Sequence, residues 1–128
     1  MMGGLDLVIH ESGEDYLETI LLIEERNHIV RSIDVATEMG FSKPSVSRAM
    51  GILKAAGFIV MDESGRITLT QEGRLKASSI YEMHTAIAEF LEKKLGVSKE
   101  TALKDACRIE HDLSQETYSK ICKANKER

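Results

Sequence analysis

No stretch of about 18 consecutive apolar residues occurs in this chain, which excludes a membrane-spanning helix. The start, Met1-Met2-Gly3-Gly4-Leu5-Asp6, lacks the basic flank and long apolar core of a secretory signal, so a cytoplasmic location is expected. Only two cysteines are present, Cys107 and Cys122, and in that compartment they are expected as reduced thiols rather than a disulfide. Internal repeats and low-complexity segments are missing. So are an HExxH motif, a Gly-rich phosphate loop and an obvious substrate lobe, which argues against an enzyme. What remains is the composition of a soluble globular protein, 42% apolar and 30% charged. At 128 residues the chain suffices for one ordinary domain, or for two small lobes that need help from a partner.

The net charge of −4 argues at first against a nucleic-acid partner, but its distribution reverses that expectation. Between Phe41 and Lys76 six cations (Lys43, Arg48, Lys54, Arg66, Arg74, Lys76) face three anions (Asp62, Glu63, Glu72). This window carries +3, so the rest of the chain carries −7. A basic window in an acidic chain suggests that one lobe faces phosphate while another faces cations.

The punctuation of the chain predicts mostly helix. Residues 1–11 look like a leader. Ser12-Gly13-Glu14-Asp15 reads as a capping box that opens an amphipathic helix running to about Arg26. Ser32 is expected to cap a short helix ended by Gly40, and Ser42 to cap a third over 43–56 with Pro44 in its first turn. Phe58–Met61 and Arg66–Leu69, around the acidic Gly-bearing turn at 62–65, predict a β-hairpin. Thr70 then caps a long helix to about Leu95, Ser98 one through His111, and Ser114 a last one. The fold class expected is mainly α with a small hairpin wing. It comprises a winged helix-turn-helix over residues 1–75 and an all-helical dimerisation lobe over 76–128. That second lobe is too small for a good core of its own, so its apolar stripe is expected to meet a second copy in a homodimer.

Three helices and a hairpin in this order, with the tight Gly40-Phe41-Ser42 turn, form a winged helix-turn-helix pattern, whose third helix enters the major groove of double-stranded DNA by its N-terminus. Its first turns supply Ser42, Lys43, Pro44, Ser45, Ser47 and Arg48, while Val46, Met50 and Leu53 face inward. Lys43 and Arg48 suit phosphate oxygens or guanine edges, and Arg66 beside the hairpin turn suits phosphate or the minor groove. The alternative is a helix bundle used only for protein contacts.

The second constellation is Cys107-Arg108-Ile109-Glu110-His111. On one continuous helix, positions 107, 110 and 111 share a face and offer sulfur, oxygen and nitrogen to a transition metal. Asp15 and Glu18 are spaced i, i+3 on the first helix, and His84 lies on the long helix. Taken one at a time, each also has a structural explanation: a cap, a solvated acid, a packed histidine, a small buried thiol.

Asp15-Tyr16-Leu17-Glu18-Thr19-Ile20, the winged helix, His84 with Phe90-Leu91 downstream, and the C-x-x-E-H motif at 107–111 followed by Ser114 together resemble the diphtheria toxin repressor and manganese transport regulator family. The resemblance runs from about Glu14 to Ile121. It implies a homodimeric, metal-activated transcriptional repressor of metal-homeostasis genes. Mn2+ or Fe2+ would be held between the lobes by Asp15, Glu18, His84, Cys107, Glu110 and His111, with Co2+ or Zn2+ as possible substitutes. The partner implied is a palindromic DNA operator. The chain is a hybrid of two types: manganese-type members carry glutamate where Cys107 stands, and iron-type members carry methionine where Asp15 stands. The acid and the histidine of the iron-type second site are replaced by Ala88 and Leu103. The SH3-like domain that ends many iron-type relatives is not expected here, as in the compact manganese type. A metal-independent winged-helix regulator responding to a small ligand or protein partner is the alternative.

Overall fold

The computed structural model describes residues 13–127; the leader and Ser12 lie outside them. Among the described residues nine elements follow in chain order. They are α1 (Glu14–Asn27), β1 (Val30–Arg31), α2 (Ser32–Met39), α3 (Lys43–Ala55), β2 (Ile59–Met61), β3 (Arg66–Leu69), α4 (Gln71–Lys93), α5 (Lys99–Ile109) and α6 (Gln115–Lys126). The chain divides into two compact units, the first ending at Ser78 and the second beginning at Ser79, within α4.

The first unit is a winged helix. Leu17, Ile20 and Ile23 of α1, Val35 of α2, and Val46, Met50 and Leu53 of α3 are buried together with Ile59 and Ile67 of the strands. Their spacing on α1 and α3 follows the helical period, so each helix presents one apolar face to a single core. The sheet has the order β1-β3-β2, all antiparallel. The expected hairpin is therefore joined by a third strand, Val30–Arg31, which pairs Val30 with Ile67 and Arg31 with Arg66.

Side-chain caps set most helix starts. The Ser42 hydroxyl accepts the Ser45 N–H at 3.3 Å, and Thr70 accepts the Gly73 N–H at 3.0 Å while donating to the Gly57 carbonyl at 2.7 Å. Two starts differ from expectation. Gly13, with no side-chain cap, precedes α1. Ser32 is already helical: Arg31 is the cap residue, and Asp34 three positions on accepts the Arg31 N–H at 2.8 Å. Asp34 wins because a carboxylate is the better acceptor for an N–H at a helix start.

The first turns of α4 are fastened to α1 and β2. Arg74 pairs with Glu24 at 2.7 Å, and Lys76 with the buried Glu14 at 3.2 Å. Gly73 packs so closely on the residue before β2 that a Cβ there would meet the Phe58 carbonyl oxygen at 1.9 Å.

The regular elements of the second unit are all helices among its described residues. Ile80 and Ile87 of α4 and Ala102 and Ala106 of α5 are buried. Gly96 adopts φ +73°, a left-handed turn that ends the α4 segment, and the hydroxyls of Ser98 and Ser114 cap α5 and α6 as their sequence positions suggest. Asn125 of α6 donates to the Ala86 carbonyl at 3.0 Å, and Lys94 bonds the Glu127 carbonyl. One boundary matters for function: α5 stops at Ile109, two residues short of His111.

Candidate metal centre and nucleic-acid interface

His84, Cys107 and Glu110 come together within the second unit. One donor atom from each, an imidazole nitrogen, the sulfur and a carboxylate oxygen, lie within 4.8 Å of one another. Two donors bound to one ion at about 2.0–2.3 Å cannot stand more than about 4.6 Å apart, so the set needs little adjustment to share an ion. Nδ1 of His84 is 3.2 Å from Oε2 of Glu110, and Nε2 of His111 is 3.9 Å from Oε1. The side chain of Glu110 is only 1% exposed, against 10% for His111 and 19% for His84. Removing a carboxylate so completely from water requires compensating charge or donors, which the two histidines are placed to offer.

The local backbone keeps Cys107 and Glu110 on one face and sets His111 just beyond it. Cys107 lies on α5, but Glu110 is its C-terminal cap residue, donating its N–H to the Ala106 carbonyl at 3.0 Å. His111 stands in the turn that follows. Glu110 keeps right-handed helical angles (φ −57°, ψ −27°), so it stays three residues on from Cys107 on one face, while His111 lies past the regular helix. Asp15 and Glu18 are on α1 in the first unit, one turn apart, and Glu18 is buried. The expected spacing on one helix face is therefore present.

Tyr16 lies beside Asp15 on α1, and its ring meets that of Phe41 edge-on, with centroids 6.0 Å apart. Burial pushes its phenol above the ordinary value of 10.0. Phe41 belongs to the turn before α3, so Tyr16 links α1 to the start of the helix expected to read DNA. A cavity of about 180 Å³, lined by Gly13, Tyr16, Ser45, Arg48, Ala49, Ile52 and Leu53, adjoins this contact.

On α3, every residue expected at the DNA face is exposed: Ser42, Lys43, Pro44, Ser45, Ser47 and Arg48. Val46, Met50 and Leu53 turn inward. Ser42 donates from its hydroxyl to that of Ser45 at 2.9 Å, so both serines also serve the helix start. Arg66, in β3, is exposed too and reaches the His28 carbonyl at 3.4 Å. The hairpin turn between β2 and β3 is held by Asp62, whose carboxylate accepts from Ser64 Oγ at 2.7 Å, Ser64 N at 2.9 Å and Arg66 N at 2.9 Å. The Ser64 hydroxyl and the Arg66 N–H, offset only partly by desolvation, hold that carboxyl below its ordinary 3.8.

Two features escape sequence reasoning: the burial of Glu14 against Lys76, and the alignment of Arg31 with Arg66. The second had a visible signal in the alternation of Val30 and Arg31, but a strand of two residues is too short to stand out.

Comparison with known proteins places this geometry in a family. The family model described as "Iron dependent repressor, N-terminal DNA binding domain" matches residues 9–65. That described as "Iron dependent repressor, metal binding and dimerisation domain" matches residues 70–127. An uncharacterised HTH-type transcriptional regulator of Methanocaldococcus jannaschii is 33% identical over 112 residues, 87% of this chain and 90% of that protein. The transcriptional regulator MntR of Salmonella typhimurium is 40% identical over 106 residues, 81% of this chain and 66% of that protein. Among solved structures, the manganese regulator SloR matches with a TM-score of 0.80 at 28% identity, over 90% of this chain and 54% of that one. The chain thus spans about half the length of that solved relative. Two adjoining domain matches in the family's order, with this degree of identity, show that the chain belongs to the diphtheria toxin repressor and manganese transport regulator family, whose members are transcriptional regulators rather than enzymes.

Proposed function

We propose that this chain is a DNA-binding transcriptional repressor switched on by Mn2+ or Fe2+, acting as a homodimer in the cytoplasm on a palindromic operator. The observation that carries the metal half is the meeting of thiol, imidazole and carboxylate at His84, Cys107 and Glu110. We assign His84, Cys107, Glu110 and His111 as ligands from the second unit, and Asp15 and Glu18 as the further ligands that family membership implies. The first residues, to about 75, read DNA, and the remainder binds metal and dimerises. On the DNA side, Lys43 and Arg48 form an ion pair with no described carboxylate, which suits them to phosphate. Ser42, Pro44, Ser45, Ser47 and Arg66 complete the candidate surface.

The mixed donor set bears on which ion is preferred. Carboxylates favour Mn2+, whereas a thiolate with two imidazoles leans toward Fe2+, Co2+ or Zn2+. The ion, when bound, supplies positive charge among carboxylates that would otherwise repel. The protein's part is transmission. Asp15 and Glu18 flank Tyr16, whose ring bears on Phe41 at the start of α3. Fixing α1 through its acids therefore fixes the recognition helix within the same unit. With free metal about 100-fold above its dissociation constant, the bound arrangement gains about 2.7 kcal/mol, enough to alter operator occupancy substantially.

The test is an anaerobic titration of Mn2+ and of Fe2+ against binding to duplexes selected from a random library, with a chelator control. Metal-dependent affinity is expected. Equal affinity with and without metal would remove the switch and favour a metal-independent winged-helix regulator.

A further inference from the structure

The wing carries two arginines where an antiparallel sheet ordinarily avoids them. Arg31 of β1 is directly opposite Arg66 of β3. The neighbouring pair, Val30 and Ile67, is buried at 1% each, so alternation along the strands puts both arginines on the outer, solvent face. Like charges placed directly across a ladder are destabilising. No salt bridge joins either guanidinium to a carboxylate among the described residues, and the one carboxylate whose charge acts on Arg66 is Asp62 in the hairpin turn. The Asp34 carboxylate is engaged by the Arg31 backbone N–H, and the Asp62 carboxylate by the hairpin turn.

Both side chains are instead tethered to backbone oxygens. Arg31 Nε donates to the Ser64 carbonyl at 3.5 Å and Arg66 donates to the His28 carbonyl at 3.4 Å. Each tether occupies one of a guanidinium's five donors and leaves four for other acceptors. The tethers run toward opposite ends of the strand pair and keep both cations on one outer face, with exposed Thr68 and Val60 and no acid in the paired strands. Such an arrangement favours anions that come in a row.

We infer that Arg31 and Arg66 form a paired site for two neighbouring phosphates of a DNA strand, with Arg31 a DNA-contacting residue that helix-turn-helix reasoning alone does not reach. This rests on the DNA-binding function proposed above. Two arginine heads on one face of the sheet can each take one phosphate of the same strand. Phosphate contacts fix register without conveying sequence, so the pair adds affinity rather than specificity.

The experiment compares wild type, Arg31→Ala, Arg66→Ala, the double variant and Arg31→Lys, all as full-length, Mn2+-loaded protein. Binding to a library-selected duplex and to a random-sequence duplex is measured over a range of salt concentrations. Each alanine variant is expected to lower the magnitude of the log K against log [salt] slope by about 0.9, and the double variant by about 1.8. Affinity should fall on both duplexes alike, Arg31→Lys should restore the slope, and the melting temperature should not fall, because a like-charge pair has been relieved. An unchanged slope for Arg31→Ala in a wild type that binds DNA overturns the paired site and leaves the regulator intact. A loss confined to the selected duplex overturns it in favour of base contact. Failure of the wild type to bind either duplex overturns the site and the proposed function together.

Discussion

The two units handle charge in opposite ways. The first buries Leu17, Ile20, Val46, Met50, Leu53 and Ile59 in a continuous apolar core and leaves Arg31, Lys43, Arg48 and Arg66 at the surface. The second buries few large apolar side chains, chiefly Ile80 and Ile87, and commits its interior to Glu110 with His84 and Cys107 beside it. The difference follows from the ligands each serves. Phosphate is met at long range by hydrated cations, so the DNA unit can secure its stability independently in its core. A metal ion needs donors already withdrawn from water and held at the right separation, so the other unit places polar groups where a core would ordinarily be. One unit is therefore expected to stand without its ligand, and the other to depend on it.

The largest effect expected is in the first unit. Gly73→Ala would drive a Cβ to within 1.9 Å of the Phe58 carbonyl oxygen, a backbone atom that no side-chain rotation can move. We expect destabilisation at or above the top of the 1–3 kcal/mol typical of overpacking, seen as a lower denaturation midpoint with or without metal. Wild-type stability in this variant would mean that α4 and β2 separate easily, and that the first unit is not the rigid partner in the comparison.

Next is Glu110→Ala. Loss of the buried carboxylate should weaken Mn2+ binding by about 100-fold or more, since even the groups that merely support ligands contribute 10–100-fold. Competition with a fluorescent chelator reads this directly. The melting temperature of the first unit should barely change, while its metal-induced rise should vanish. Unchanged metal affinity would remove Glu110 from the site. A parallel Cys107→Glu variant sharpens the metal's identity: a shift in preference toward Mn2+ is expected if the thiol is a ligand, and no shift would make it a packing residue.

Smaller still are the caps. Ser42→Ala and Ser98→Ala each remove a side-chain acceptor of one backbone N–H, at 3.3 Å in both cases. Each should cost about 1 kcal/mol. The comparison lies in where the loss appears. Ser42→Ala should also reduce DNA affinity, because it frays the helix that carries Lys43 and Arg48. Ser98→Ala should leave metal-loaded DNA binding untouched. Equal losses of DNA binding would contradict this division of labour.

These contrasts also mark what could be read from the sequence. Ser42, Thr70, Ser98 and Ser114 were legible as caps because a cap and its N–H lie within three residues. The inward set Val46, Met50 and Leu53 was legible because helical period fixes the face. Strand β1 was not, since its two residues take their identity from Ile67 and Arg66, more than thirty positions away. His111 was misplaced onto α5 because the helix stop at Ile109 has no glycine or proline to announce it. His84, Cys107 and Glu110 could be nominated from donor chemistry, but their meeting depends on how α4 and α5 pack, which no local pattern encodes.

The smallest effect concerns the wing's turn. Asp62 accepts three hydrogen bonds there, from the Ser64 hydroxyl and from the Ser64 and Arg66 N–H groups, and its carboxyl is held below the ordinary 3.8. Because the folded value is depressed, the stabilisation is fully present above the unfolded value and is lost as pH falls through the folded one. At neutral pH the turn should therefore be insensitive to small changes in acidity, unlike a site built on histidine. Amide resonances of Ser64 and Arg66 should shift together, with a midpoint below 3.8, and the step should be absent in Asp62→Asn. A midpoint at or above the ordinary value would show that the turn is not fastened by its carboxylate. Arg66 would then lose the fixed backbone that aligns it with Arg31, and the contrast between a pre-set DNA surface and a ligand-dependent metal unit would weaken at its edge.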